Sequence, residues 1–182
     1  MSGLPQVHPA GKPAHSPPDA RHQSITVNHR LTVFIEQPPE FVRKLYPSAV
    51  WRMDPDERAV YLTFDDGPIP EVTPWVLDLL DKYDIKATFF MVGDNIRKHP
   101  DEFQMVVERG HRIGNHTFNH LKGFEYNFKD YLANAEKANE VMKTDLFRPP
   151  HGHMGWTQYM ILKRRYKIIM WDLSLIHISE PT

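Results

Sequence analysis

The chain has 182 residues, 41% hydrophobic and 25% charged, with a formal net charge of −1. That balance suits one soluble globular domain with a sizeable core, and it offers no basic field to nucleic acid or to an anionic membrane surface. Cysteine is absent, which excludes disulfides and thiolate metal sites, whereas histidine is abundant at eleven.

Residues 1–24, MSGLPQVHPAGKPAHSPPDARHQS, hold five prolines and no hydrophobic periodicity. They read as a disordered leader in which His8, His15 and His22 are solvated side chains. No apolar stretch of signal-peptide length follows a basic start, and none is long enough to span a membrane, so the localisation is left open. Residues 25–56 read as an N-terminal extension. In it, ITVNHRLTVFIEQPP alternates like a short strand ending at a double proline, and PEFVRKLYPSAVWRM spaces Phe41, Val42, Leu45 and Tyr46 as a helix stopped by Pro47.

From residue 57 the pattern becomes regular and reads as one domain to residue 174. AVYLTF is a strand with a buried apolar run, and EVTPWVLDLLDKY is a helix with Thr73 as N-cap and Pro74 in its first turn. IKATFFMVG is continuously apolar, as a strand buried on both faces requires. NIRKHPDEFQMVVERG reads as a second helix closed by Gly110, HRIGNHT as a strand running into a loop, and YNFKDYLANAEKANEVMKTD as a long helix. LFRPPHG is a strand end, WTQYMILKRRY a helix and KIIMWDL a last strand. This alternation predicts a parallel α/β sheet or barrel, whose chemistry collects at the carboxyl ends of the strands.

At those ends stand Asp65 and Asp66, then His116 and His120, then Arg148, His151 and His153. Two adjacent acids at the end of an apolar strand repel unless each has a partner, so the pair is expected to face a metal and a cation. His116 and His120 are four apart, a spacing that puts both imidazoles on one face of a helical turn. With one carboxylate they would leave positions open on a zinc-type ion, as catalysis needs. Arg148 supplies a planar fork for the other carboxylate from a segment stiffened by two prolines. Each stretch alone has an ordinary structural explanation: a turn, a surface helix, a loop with an ion pair.

Together, TFDDGP, HTFNH and RPPHG resemble in order and spacing the motifs of the polysaccharide deacetylase family, the NodB homology domain, over roughly residues 57–173. The resemblance implies a distorted (β/α) barrel of about seven strands that removes N- or O-acetyl groups from an acetylated carbohydrate with a divalent metal, zinc foremost. Carried over residue by residue, it implies Asp66, His116 and His120 as metal ligands and Asp65 as general base. It implies Arg148 as the residue that orients and balances Asp65. His151 stands where the family has an aromatic residue whose backbone N–H holds the oxyanion. The family's general acid belongs to a late Leu-x-x-His motif, after an Asp and Trp pair that braces the arginine. Here Leu173 and His177 are four apart and the motif is missing, so the barrel is expected to lack its last strands, with 175–182 a non-native tail. If the acid lies elsewhere, His151, His153 and His177 are the candidates. Trp75, Trp156 and Tyr159 are candidate sugar platforms, with core packing the expected role for Trp75. The readings kept beside this one are a non-catalytic metal- or carbohydrate-binding relative and a two-histidine, one-carboxylate iron enzyme.

Overall fold

The computed structural model describes residues 25–27, 31–36, 40–53, 56, 58–172 and 174–177. The leader and most of the expected tail lie outside these residues. In chain order the elements are β1 (Ile25–Val27), β2 (Leu31–Glu36), α1 (Glu40–Leu45), β3 (Thr63–Asp65), α2 (Thr73–Lys82) and β4 (Thr88–Met91). They continue with α3 (Gly93–Lys98), α4 (Pro100–Glu108), β5 (Arg112–Asn115), α5 (Phe128–Met142), β6 (Leu146–Phe147), α6 (Trp156–Leu162), β7 (Lys167–Ile168) and β8 (Ser174–His177).

The chain divides into two compact units, one formed by its two ends up to Glu36 and from Ser174, the other by Gln37–Leu173. In the first, β1 and β8 both pair antiparallel with β2, with Thr26 opposite Thr32 and Phe34 opposite Ile176. The stretch expected to be one strand is thus two strands of a hairpin.

The second unit is built on a parallel sheet in the order β3-β4-β5-β6-β7. Sequential order without a reversal is the winding of a (β/α) barrel rather than of a doubly wound sheet. Beyond β7, Val50 pairs parallel with Ile169. β4 is an interior strand and is almost wholly buried, as its unbroken apolar run requires. Leu77, Leu80, Ile96 and Val106 cover one part of the sheet, and Tyr131, Tyr159 and Leu162 pack with Phe147 and Ile168 in a second cluster.

The structure corrects several local expectations. The first strand of this sheet is only Thr63–Asp65: Val60, Tyr61 and Leu62 are exposed, because the parallel ladder with β4 starts where Thr88 N–H meets the Leu62 carbonyl. Thr73 is inside α2 and not its cap; Val72 holds that position, and the Thr73 hydroxyl accepts the Ile69 N–H at 2.8 Å, closing the preceding turn. The helix expected from Asn95 to Arg109 is two helices. Pro100 opens the second, and His99 before it is driven out of the helical region (φ −131°, ψ 61°), as a residue preceding proline tends to be. Gly110 follows the last helical residues at φ +74°, the left-handed closure expected of it.

His111, just before β5, is buried, with Nδ1 accepting the Ala87 N–H at 3.2 Å and its ring edge against Phe89. Burial pushes its pKa below the ordinary 6.5. The unfolded chain therefore takes up this proton more readily than the folded one, so the contribution is fully present above about pH 6.5 and is lost as pH falls toward the folded value. Urea unfolding at about pH 7.5 and about pH 5 is expected to show a larger loss of stability on acidification for the native chain than for His111→Gln. Equal losses would overturn this account.

Candidate active site

Asp65 ends β3, and Asp66 turns out of the strand at φ 70°. Asp tolerates that left-handed conformation better than most residues. The turn is held from both sides: Asp66 N–H donates to the Phe90 carbonyl, and its own carbonyl accepts from Asn95 Nδ2 at 2.7 Å. The two carboxylates thereby leave the strand toward different partners.

Asp65 Oδ1 accepts from Arg148 Nη1 at 2.7 Å. The guanidinium is 3% exposed and uses the rest of its fork on the protein: Nη1 also reaches Thr63 Oγ1, Nη2 the Met170 carbonyl and Nε the Ile169 carbonyl. Its flat face lies 4.1 Å from the centre of the Phe90 ring. Burial pulls its pKa below the ordinary value, opposed by the Asp65 carboxylate; an arginine stays charged regardless. Phe90 can lie there because its partner across β4 and β5 is Gly114, where a Cβ would come within 2.3 Å of the ring.

Asp66 faces the two imidazoles. Its Oδ1 lies 2.9 Å from His120 Nε2 and 3.4 Å from His116 Nε2. His116 is buried, and its Nδ1 is 2.7 Å from the Arg148 carbonyl. A carbonyl only accepts, so Nδ1 donates to it, and Nε2 is the ring nitrogen turned toward Asp66, positioned to serve as a ligand. The three ligand atoms all lie within 4.8 Å of one another, and the two imidazole centres are 5.1 Å apart. Two imidazoles on a tetrahedral ion, with bonds of about 2.0–2.1 Å, bring their ring centres to roughly 5 Å. The donor set therefore fits a divalent metal. The hydrogen bond to His116 is the main influence holding the Asp66 carboxyl below its ordinary pKa, with attraction to the neighbouring imidazoles aiding it against partial burial. Burial is the main influence lowering the His120 pKa, the direction that favours the neutral imidazole a metal ligand requires.

The loop that carries both histidines is strained, with Thr117 at φ 64° and His120 at φ 54°. Two asparagines fix it. The buried Asn115 accepts the Thr117 N–H and donates to the Ala135 carbonyl. Asn134, on α5, accepts the N–H groups of both Phe118 and Asn119 on one oxygen, at 2.8 and 2.9 Å, and donates to the Asn119 side chain. Sequence reasoning missed Asn134, which lies inside an ordinary helical pattern away from any motif.

His151 joins the cluster from the turn after β6. Its ring stands edge-on to His120 at 4.7 Å, and its backbone is left-handed at φ 56°. His153 lies one step further out, 6.2 Å from His151. Asp172 pairs with Arg52 at 2.7 Å and with Arg43 at 3.5 Å, while Arg148 donates to the main-chain carbonyls of Ile169 and Met170. Trp171 lies under Gly152, whose Cβ would meet it at 2.5 Å. His177 belongs to β8 of the other unit, and its side chain lies outside the described residues. Trp75, expected in the core, is 65% exposed, whereas Tyr159 is wholly buried with its hydroxyl on the Ser48 N–H, so Tyr159 cannot face a ligand.

The family described as polysaccharide deacetylase matches residues 52–164. A peptidoglycan-N-acetylglucosamine deacetylase of Bacillus cereus is 37% identical over 128 residues, covering 67% of this chain and 60% of that protein. The crystal structure of the Bc1960 peptidoglycan N-acetylglucosamine deacetylase in complex with a naphthalenyl N-oxidanyl-benzamide aligns with a TM-score of 0.65 at 30% identity, over 74% of this chain and 65% of that one. A BA3943 mutant, described as a CE4 family pseudoenzyme with restored enzymatic activity, aligns with a TM-score of 0.61 at 28% identity, over 69% and 48%. The chain thus spans less than two thirds of the length of each of these relatives.

Removing the Asn134 side-chain oxygen leaves two loop N–H groups without an acceptor beside a strained His120. Asn134→Ala is expected to weaken divalent-metal affinity by about 10–100-fold, the usual effect of losing an outer support of a metal ligand. Asn134→Asp, which still accepts both N–H groups, should retain most of it. Competitive titration against a chromophoric chelator measures both, and unchanged affinity in Asn134→Ala would refute the role.

Proposed function

The chain belongs to the polysaccharide deacetylase family, and on that premise we propose that it hydrolyses acetyl groups, N-acetyl foremost, from an acetylated carbohydrate of the peptidoglycan or chitooligosaccharide type. The observation that carries this reading is the division of the adjacent acids: Asp65 lies on Arg148 while Asp66 lies on His116 and His120.

Asp66, His116 and His120 would hold a zinc ion, which when bound supplies a water of lowered pKa and polarises the acetamide carbonyl. Asp65 is the general base. Arg148 holds one of its oxygens, and the carboxylate is about one third exposed, so a proton can reach it from an attacking water. The arginine keeps the carboxylate in place and compensates its charge in a half-buried setting. Charge developing on the carbonyl oxygen needs donors already in position. The backbone N–H of His151 is suited to this: in its tight turn Gly152 N–H closes on Pro149 and His153 N–H on Pro150, and the His151 N–H takes no part in either bond. The replacement of an aromatic side chain by imidazole leaves that backbone role intact. The departing amine needs a proton, and His151, edge-on to His120 at 4.7 Å, is a further imidazole beside the cluster.

The parallel strand order speaks against the iron-oxygenase reading, which belongs to double-stranded β folds. Named deacetylases among the relatives support turnover, and a pseudoenzyme among them makes turnover the property to measure.

Asp65→Asn is expected to keep stoichiometric zinc while acetate release from N-acetylglucosamine oligomers or peptidoglycan falls by about 10²–10⁴-fold. Asp66→Asn should lose zinc affinity first and activity as a consequence. Elemental analysis beside an acetate assay separates the two. Identical behaviour of both variants would dismiss the division of roles, and a zinc-loaded native chain that releases no acetate would dismiss the deacetylase reading.

A further inference from the structure

A short 3-10 turn, Gly123–Glu125, carries Phe124 at 65% exposure. One exposed aromatic ring is ordinary on a protein surface and carries nothing by itself. What sets this one apart is its support. Gln158 on α6 is 3% exposed, and its amide donates to both the Gly123 carbonyl (2.7 Å) and the Tyr126 carbonyl (3.0 Å), the two ends of the turn. The amide oxygen accepts the Gly155 N–H at 2.8 Å, and Gly123 N–H donates to the His153 carbonyl. There is no room for a side chain at Gly123, where a Cβ would come within 2.5 Å of that carbonyl. A buried amide is costly unless its groups are satisfied, and here they are satisfied by fastening an exposed turn to the segment that bears His151 and His153.

The fastening brings flat rings into one row. Phe124 lies 5.3 Å from His153 with the planes tilted by 36°, His153 6.2 Å from His151, and His151 4.7 Å from His120. The row runs without a break from the candidate metal ligands to the exposed phenyl face. The charges of the turn, Lys122 and Glu125, lie 3.6 Å apart and answer each other. A neutral ligand with an apolar flat side is what this surface suits, and a pyranose ring is such a ligand, since its axial C–H groups pack against the electron-rich face of an aromatic ring.

We propose that Phe124, with His153 beside it, is a stacking subsite for a sugar ring that flanks the one whose acetyl group reacts. This rests on the deacetylase reading above. It makes the turn a reader of chain length, favouring oligomers that reach past the metal ligands to the phenyl face.

The test is isothermal titration of the zinc-loaded chain with the dimer and the pentamer of N-acetylglucosamine, with acetate release followed alongside. The native chain is expected to bind the pentamer about tenfold more tightly than the dimer, the scale of one good aromatic contact. In Phe124→Ala that ratio should fall to near one, and in Phe124→Tyr it should persist; melting temperatures check that both variants fold. A ratio that survives in Phe124→Ala, or that is already near one in the native chain, overturns the subsite while acetate release leaves the deacetylase reading standing. A chain that neither binds nor deacetylates either oligomer removes both. Self-association that Phe124→Ala abolishes, with no change in the ratio, assigns the patch to contact between copies and overturns the subsite.

Discussion

A single buried cation, the Arg148 guanidinium, ties the sheet to the chemistry. A charge so deeply placed is tolerable only if every donor has a partner and an anion lies close. Those partners come from both ends of the parallel order, Thr63 and Asp65 on β3 and the carbonyls of Ile169 and Met170 just beyond β7. The floor beneath it is Phe90, which has space only because Gly114 on the next strand has no side chain. The residues that make the sheet close-packed are therefore the ones that fix where Asp65 points.

Much of this was legible in the sequence. The strand and helix alternation, the both-faces-buried character of β4 and the gathering of acids, histidines and arginine at strand ends follow from apolar periodicity and the placement of turns. The partners of Asp65 and Asp66 could be anticipated because like charges side by side demand opposite ones. What escaped was of another kind. The break at His99 turns on one proline within an otherwise helical pattern, and the early exposure of Val60 to Leu62 depends on where the neighbouring strand begins. Asn134 and Gln158 could not be read at all: each is a polar residue on a helix whose role exists only through backbone groups far away in sequence.

Backbone strain concentrates where the candidate chemistry is. Asp66, Thr117, His120 and His151 all hold left-handed conformations without being glycine. Each such residue costs about 1–3 kcal/mol, so it persists only when its surroundings over-determine it. The asparagine bonds to the His120 loop and the paired bonds to Asp66 do this.

Arg148 takes part in both halves of the site by different routes. Its side chain holds Asp65, whereas its main-chain carbonyl receives the His116 ring proton. A change of side chain at this position erases the first contact and leaves the second, because every residue type has the same carbonyl. Heredity can therefore uncouple them in one step. Under the roles proposed above, a lineage that loses the arginine forfeits the partner of Asp65 while His116 keeps its orientation, a short route to a descendant that retains a metal without turnover.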